Sequence, residues 1–280
     1  MLFFSPLMNL TCLIESAEHQ FKQILEEFFI AVYDEKSLSS HGIDHHRRVW
    51  SYSKELLTLL SSQNPAFISV LPSKLIIASY LHDIGMSVET GIRHGKHSRD
   101  HCIQFLTKNQ LPENDFKDVL TAIENHDIKD YPGNNNKNDL LTILSVADDL
   151  DAFGFTGIFR YSEIYLTRGI NPEEIGHLIR DNAGKRFNNF VKTFGFIDGL
   201  VQKHRKRYDI LDNFFNEYNN QVTSYQFGDQ NPSGYCGVVE MLLYLIRNKK
   251  TLKEFCMELE KYSQNPVILW FFNELASELT

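Results

Sequence analysis

Apolar residues recur every three or four positions along almost the whole chain. Leu13, Ala17, Phe21, Ile24, Phe28 and Ala31 mark one such stripe and predict a helix over 13–33. Val49, Tyr52, Leu56 and Leu59/Leu60 mark a second over 45–60. A short apolar helix is predicted over 75–84, stopped by Gly85, with Pro65 and Pro72 punctuating the link before it. Gly91 and Gly95 read as loop, and helices over 98–108 and 116–126 follow. The run Tyr131-Pro132-Gly133-Asn134-Asn135-Asn136 reads as a polar loop. Further helices are predicted over 140–153, 159–167, 172–191 and 194–222. Residues 228–237 read as a loop, and two or three helices split near Asn265-Pro266 finish the chain. No stretch alternates with a period of two, so the expected fold class is all-α. The break at 228–237 divides a helical core, 1–227, from a C-terminal helical extension, 228–280; a single domain fits the pattern equally well.

Composition narrows the picture. With 280 residues, 42% apolar and 23% charged, the chain is large enough for a real core and too apolar to be disordered throughout. The net charge is 28 − 36 = −8 with histidine neutral. That disfavours a nucleic-acid polymer or an anionic lipid surface as partner, while a small phosphorylated ligand needs only a local basic spot. No apolar run approaches the ~18–20 residues of a membrane span. Residues 1–10 lack a basic segment and a small-residue cleavage site, and read as mature sequence. Cys12, Cys102, Cys236 and Cys256 form no C-x-x-C pair, which argues against a zinc ribbon or a disulfide framework and leads us to expect a cytoplasmic location.

Histidine and aspartate on the apolar stripes change the picture most. His45 lies four before Val49, seven before Tyr52 and eleven before Leu56, so it heads the buried face of its helix. His82 lies seven after Leu75, with Asp83 about 100° further round. His126 lies three after Ile123 and seven after Val119, and Asp148 four after Leu144 and seven after Leu141. Four helices thus aim an imidazole or a carboxylate inward, which is costly unless the group is paired or metal-bound. This mixture suits borderline divalent metals, and an adjacent His-Asp pair suits a site for two ions, the carboxylate bridging them.

The order His45, His82-Asp83, Asp148 resembles the H…HD…D pattern of the HD-domain superfamily of metal-dependent phosphohydrolases. His45-His46-Arg47-Arg48-Val49 resembles its H-x-x-R-V stretch, Leu81-His82-Asp83-Ile84-Gly85 its L-H-D-I-G segment, and Ala147-Asp148-Asp149-Leu150-Asp151 its A-D-x-L-D segment. The resemblance covers roughly residues 40–155 and implies an HD-domain helical bundle with additional C-terminal helices. Some members carry two more histidines between the pair and the last Asp. His126 has a family-like setting. His94, preferred two to one over His97, is followed after three residues by Ser98. The implied metal set is His45, His82, Asp83, His94, His126 and Asp148. It would hold two divalent transition ions (Mn or Fe, with Mg, Ni, Co or Zn as alternatives), ~3.5–4 Å apart if they clamp one substrate.

The resemblance implies that a metal-bound hydroxide attacks phosphorus in a nucleotide or another small phosphate ester. Asp83 is then a catalytic residue as the bridge. Lys96 is assigned to a non-bridging phosphoryl oxygen, and Asp127 to an outer hydrogen-bond partner or proton acceptor. Arg48 is assigned to phosphate or to orienting a ligand, and Arg160 and Arg168 to a substrate phosphate at the rim. His41 is expected as a cap or pocket residue. The basic run at 203–207 is expected on a solvated helix face, and the aromatic stretch at 153–165 in the core. Trp270, Phe271 and Phe272 are expected to pack, with a homodimer contact as a further option. Two other functions stand beside the hydrolase: a dinuclear-iron HD-domain oxygenase, and a non-catalytic metal-binding regulatory module. No G-Y-P segment occurs, which disfavours cleavage of cyclic dinucleotides, and no synthetase domain accompanies the motifs.

Overall fold

A computed structural model of the chain describes residues 9–33, 38–61, 70–128, 139–228 and 231–279. Every regular element among these residues is helical. Pro65 and the loop expected at 131–136 lie outside the described residues. No helix among the described residues is long and apolar enough to cross a membrane. The chain forms two compact units, one of Met1–Tyr33 with Ile43–Asp148, the other of Asp34–Gly42 with Asp149–Thr280. Residues of the helices within 234–279 contribute to the core of the second unit.

The first unit runs through α1 (Leu10–Ala17), a π-helical turn (Glu18–Lys22), α2 (Gln23–Val32), α3 (Ile43–Ser61) and α4 (Leu71–Leu81). A 3-10 turn (Ile84–Ser87), α5 (His94–Lys108), α6 (Lys117–Asn125) and most of α7 (Leu140–Asp151) complete it. Helix α4 is apolar on every side and is buried continuously from Leu75 to Leu81, so it is the central helix, with α2, α3, α5 and α6 packed on it. It begins four residues earlier than periodicity suggested. Pro72 sits in its first turn, where the missing N–H is not needed.

Helix α5 likewise starts at His94, four residues before the expected 98. Gly95 is helical and not a loop residue. A Cβ there would lie 2.5 Å from the Glu124 carbonyl oxygen, so the glycine serves the close approach of α5 to α6. The predicted first helix is divided by the π-helical turn, where the Glu18 carboxylate accepts from Trp50 Nε1 and Lys54 Nζ, both at 2.7 Å.

The second unit contains α8 (Gly154–Thr167), α9 (Pro172–Phe194), α10 (Asp198–Val222), α11 (Gly234–Arg247), α12 (Leu252–Tyr262) and α13 (Pro266–Leu279). Helix α8 starts at Gly154, whose φ of 72° permits a sharp exit from α7, so the helix expected from 159 is longer. Phe155, Phe159 and Tyr161 are buried in the core with Leu211, Phe215, Phe271 and Phe272, as their spacing suggested. Trp270 stays 42% exposed.

The run at 203–207 departs from a solvated face. Lys203, Arg205 and Lys206 are exposed, but His204 is fully buried against Phe190. The Arg207 guanidinium donates to the carbonyls of Leu150 (2.6 Å) and Phe153 (2.8 Å) and pairs with Glu278. It thereby satisfies the Leu150 carbonyl, in the last turn of α7, and adds a second donor to the Phe153 carbonyl at the start of α8.

Burial, then the charges of Arg207 and Lys203, hold the His204 pKa down at about 3. Its unfolded value is about 6.5. The native chain therefore keeps His204 neutral where the unfolded chain takes up a proton. Its contribution is complete above pH 6.5 and is lost as pH falls toward 3, at about 1.4 kcal/mol per pH unit. Urea unfolding at several pH values should show this slope in the wild type and a shallower one in His204→Leu. Parallel slopes would refute the assignment.

Candidate metal centre

The L-H-D-I-G segment is where α4 stops. Leu81 and Ile84 are fully buried and fix the register, while His82 caps the helix and Asp83 leaves it with φ −109° and ψ 5°. Asp83 follows His82 directly, and its carboxylate comes close to the His82 ring. His82 Nε2 is 3.4 Å from Asp83 Oδ2.

Two donor groups meet at Asp83. On one side His45 Nε2 and His82 Nε2 are 3.2 Å apart and stand 3.5 and 3.4 Å from Asp83 Oδ2; each is 3.8 Å from Asp148 Oδ1. On the other side His94 Nε2 and His126 Nε2 are 3.4 Å apart and stand 3.2 and 2.9 Å from Asp83 Oδ1. All six residues are at most 3% exposed. One carboxylate thus presents a different oxygen to each group.

The ring orientations test whether these groups suit a metal. His82 Nδ1 donates to the Ser79 carbonyl (3.0 Å), His94 Nδ1 to Gly91 (2.8 Å) and His126 Nδ1 to Ile123 (2.7 Å). In each case the acceptor lies three residues earlier: Ser79 and Ile123 sit in the last turns of α4 and α6, where main-chain carbonyls are left open, and Gly91 sits in the segment just before α5. With Nδ1–H so engaged, each neutral ring turns an Nε2 lone pair inward. Lone pairs converging on carboxylate oxygens repel unless a cation lies among them. Donors bound at about 2.1 Å to one ion, at right or tetrahedral angles, stand about 3.0–3.4 Å apart. The His45–His82 and His94–His126 separations fall in that range, so the residues fit a divalent metal.

Proton affinities carry the same message. Burial opposes charge on His82, but the neighbouring Asp83 and Asp148 outweigh it and raise the pKa. Burial is likewise outweighed at His94, where the hydrogen bond to Asp83 and the charges of Asp83 and Asp127 raise it to about 9. Asp83 itself, despite burial, is held well below the usual carboxylate range by His82 and His126. Burial lowers His126. Protons and a divalent cation would therefore compete for the same lone pairs.

The segment around this cluster matches a known family model, that of the HD domain, over residues 42–152. The chain carries an HD domain. Comparison with curated proteins and with solved structures finds no match.

Other residues singled out in the sequence are placed as follows. In the HD domain, His97 lies outside both donor groups, half-buried with Nε2 3.6 Å from Glu89. Lys96 is exposed and sits two residues, about 200°, round α5 from His94, so it faces away from the cluster. Its place in sequence between His94 and His97 had suggested a phosphoryl oxygen as its partner. Arg48 lies half-buried one turn after His45 on α3. Asp127 is exposed beside His126, near enough to His94 to raise its pKa.

Arg160, expected on a rim, is instead 5% exposed inside the second unit, with its guanidinium 3.3 Å from Asp151 and 3.4 Å from His41 Nε2. His41 in turn bonds Ser40 Oγ at 2.8 Å, and Glu163 accepts from the Ser39 and Ser40 amides. Arg160 and Glu163, one turn apart on α8, therefore pin the turn at 39–41. Arg168 stands exposed at the end of α8.

The sequence reading missed the three carbonyls that orient the rings, since a main-chain acceptor has no residue signature. For His82 and His126 the usable signal is a histidine just past the end of a helix, where the carbonyl three positions back is open to its Nδ1.

Proposed function

We propose that the chain is a metal-dependent phosphohydrolase acting on a nucleotide or another small phosphate ester. The observation that carries this reading is Asp83, whose two oxygens each face a separate imidazole pair. His45, His82 and Asp148 would hold one ion, His94 and His126 a second, with Asp83 shared. Ions bound there would supply Lewis acidity, lower the pKa of bound water and offset charge growing on the phosphoryl group.

The remaining work falls to the chain. The carbonyls of Ser79, Gly91 and Ile123 hold three imidazoles in one tautomer. The nearly complete burial of the six donors keeps competing water away from them. Arg48, half-buried one turn beyond His45, is assigned to a phosphate oxygen. The exposed Asp127 carboxylate is the nearby group suited to accepting a proton.

Elemental analysis of protein purified without chelator or affinity metal tests the proposal, followed by a panel of nucleotide mono-, di- and triphosphates and simple phosphate esters. About two ions per chain and release of phosphate are expected. Two iron ions with substrate-dependent oxygen uptake and no phosphate release would establish the oxygenase instead. Bound metal without turnover on either panel would leave a regulatory module.

The choice between neighbouring histidines has its own test. His94→Ala should retain about one ion of two, while His97→Ala retains both. The reverse pattern would overturn the assignment.

A further inference from the structure

His46 follows the candidate ligand His45 in the chain and points elsewhere. It is fully buried on α3. Its Nδ1 lies 3.1 Å from the Ser79 carbonyl oxygen, the same oxygen that accepts from His82 Nδ1 at 3.0 Å. A lone pair at Nδ1 would repel that oxygen, so Nδ1 carries the hydrogen and donates. Its ring centroid stands 5.0 Å from those of both His45 and His82 and 4.4 Å from that of Phe29. Its Nε2 is enclosed without a hydrogen-bond partner.

That last feature is unfavourable. An enclosed polar atom without a partner is destabilising, and an apolar side chain would avoid that cost. What an apolar residue lacks is the second N–H on the Ser79 carbonyl. This carbonyl lies in the last turn of α4, where main-chain acceptors lose their helical partners, and the Ser79 side chain is held in turn by Ser53 Oγ at 3.1 Å. Two imidazoles on one carbonyl fix its direction, and its direction fixes the plane of the His82 ring.

We infer that His46 is a positioning residue for the candidate metal centre, holding the Ser79 carbonyl and packing against the His45 and His82 rings so that both Nε2 atoms meet one ion. The inference rests on the metal-site reading above. It predicts an effect confined to one of the two donor groups, because His94 and His126 take their orientation from Gly91 and Ile123.

The test compares full-length wild type, His46→Phe and His46→Asn. Asparagine restores a donor near the position of Nδ1, while phenylalanine fills the space and donates nothing. Metal retained after dialysis against graded chelator is measured by elemental analysis, together with the visible spectrum of cobalt-loaded protein and thermal unfolding of the metal-free forms. His46→Phe should lose one ion at about 10–100-fold lower chelator concentration than wild type, the span typical of residues that orient ligands. It should also alter the cobalt spectrum and unfold no earlier than wild type when metal-free. His46→Asn should recover most of the affinity.

Wild-type retention of both ions in His46→Phe would reduce His46 to packing and overturn the inference. So would equal loss in both variants. If His46→Phe does not fold, His46→Asn alone decides: weakened retention of one ion by 10-fold or more in a folded His46→Asn chain overturns the donor role. Wild-type protein that binds no metal would instead refute the underlying reading.

Discussion

Asp83→Ala should bind neither ion and should show no measurable turnover, while its far-ultraviolet circular dichroism stays that of the wild type. Asp83 is the one residue that both donor groups share, with Oδ2 facing His45 and His82 and Oδ1 facing His94 and His126. Removing any other donor leaves one group intact, whereas removing Asp83 opens both. Loss of a residue that merely orients a ligand costs about 10–100-fold in metal affinity or activity, so the loss here should exceed 100-fold. Helicity should survive because Leu81 and Ile84, not Asp83, anchor this turn in the core. Metal content and phosphatase assays on the same preparation check the prediction. Retention of two ions would sink the shared-ligand assignment, and retention of one would show that Asp83 serves a single group.

The second large effect is expected at Gly85, a position with no chemistry of its own. A Cβ there would lie 2.2 Å from the His94 carbonyl oxygen and 2.4 Å from the Ser98 amide nitrogen, both main-chain atoms that cannot swing aside. The Gly85 amide also donates to Ser98 Oγ at 2.9 Å. Gly85→Ala must push the start of α5 away from the end of α4. Overpacking of this kind costs about 1–3 kcal/mol, and main-chain contacts place it at the upper end. For a unit of this size that corresponds to a fall in Tm of about 5–10 °C. The displaced segment carries His94, so the variant should also lose one ion while keeping the group of His45, His82 and Asp148. Calorimetry and metal analysis together check it; an unchanged Tm with two bound ions would contradict the close approach.

These two residues also show how much of the molecule was legible beforehand. Gly85 was read as a helix stop, and it does follow the end of α4. Its tighter role arises from α5, a helix nine residues later, and no local pattern reports that distance. Gly95 was misread for the same reason: glycine looks like a loop until the neighbouring Glu124 carbonyl is seen. Gly154 extended a helix through a positive φ that looked like a break. In each case the residue's meaning depended on what another segment brought near it.

The inward turn of His45, His82, His126 and Asp148 followed from spacing alone, because a period of 3.6 residues puts these positions on the stripe that must be buried. The resemblance to the HD domain added His94 over His97 to the expected set, and the all-α class came from the same periodicity. Lys96 and Arg160 show where such reasoning stops. Lys96 lies between two histidines in sequence but about 200° from His94 once α5 is known to begin there. Arg160 looked like a free cation, yet α8 carries it beside Asp151 and His41. Periodicity reports which face of one element is buried, since that depends on local geometry. Which groups meet across elements is decided only when helices pack, because main-chain carbonyls such as Ser79, the sharing of one carboxylate by two donor pairs, and the enclosure of His46 are properties of several segments at once.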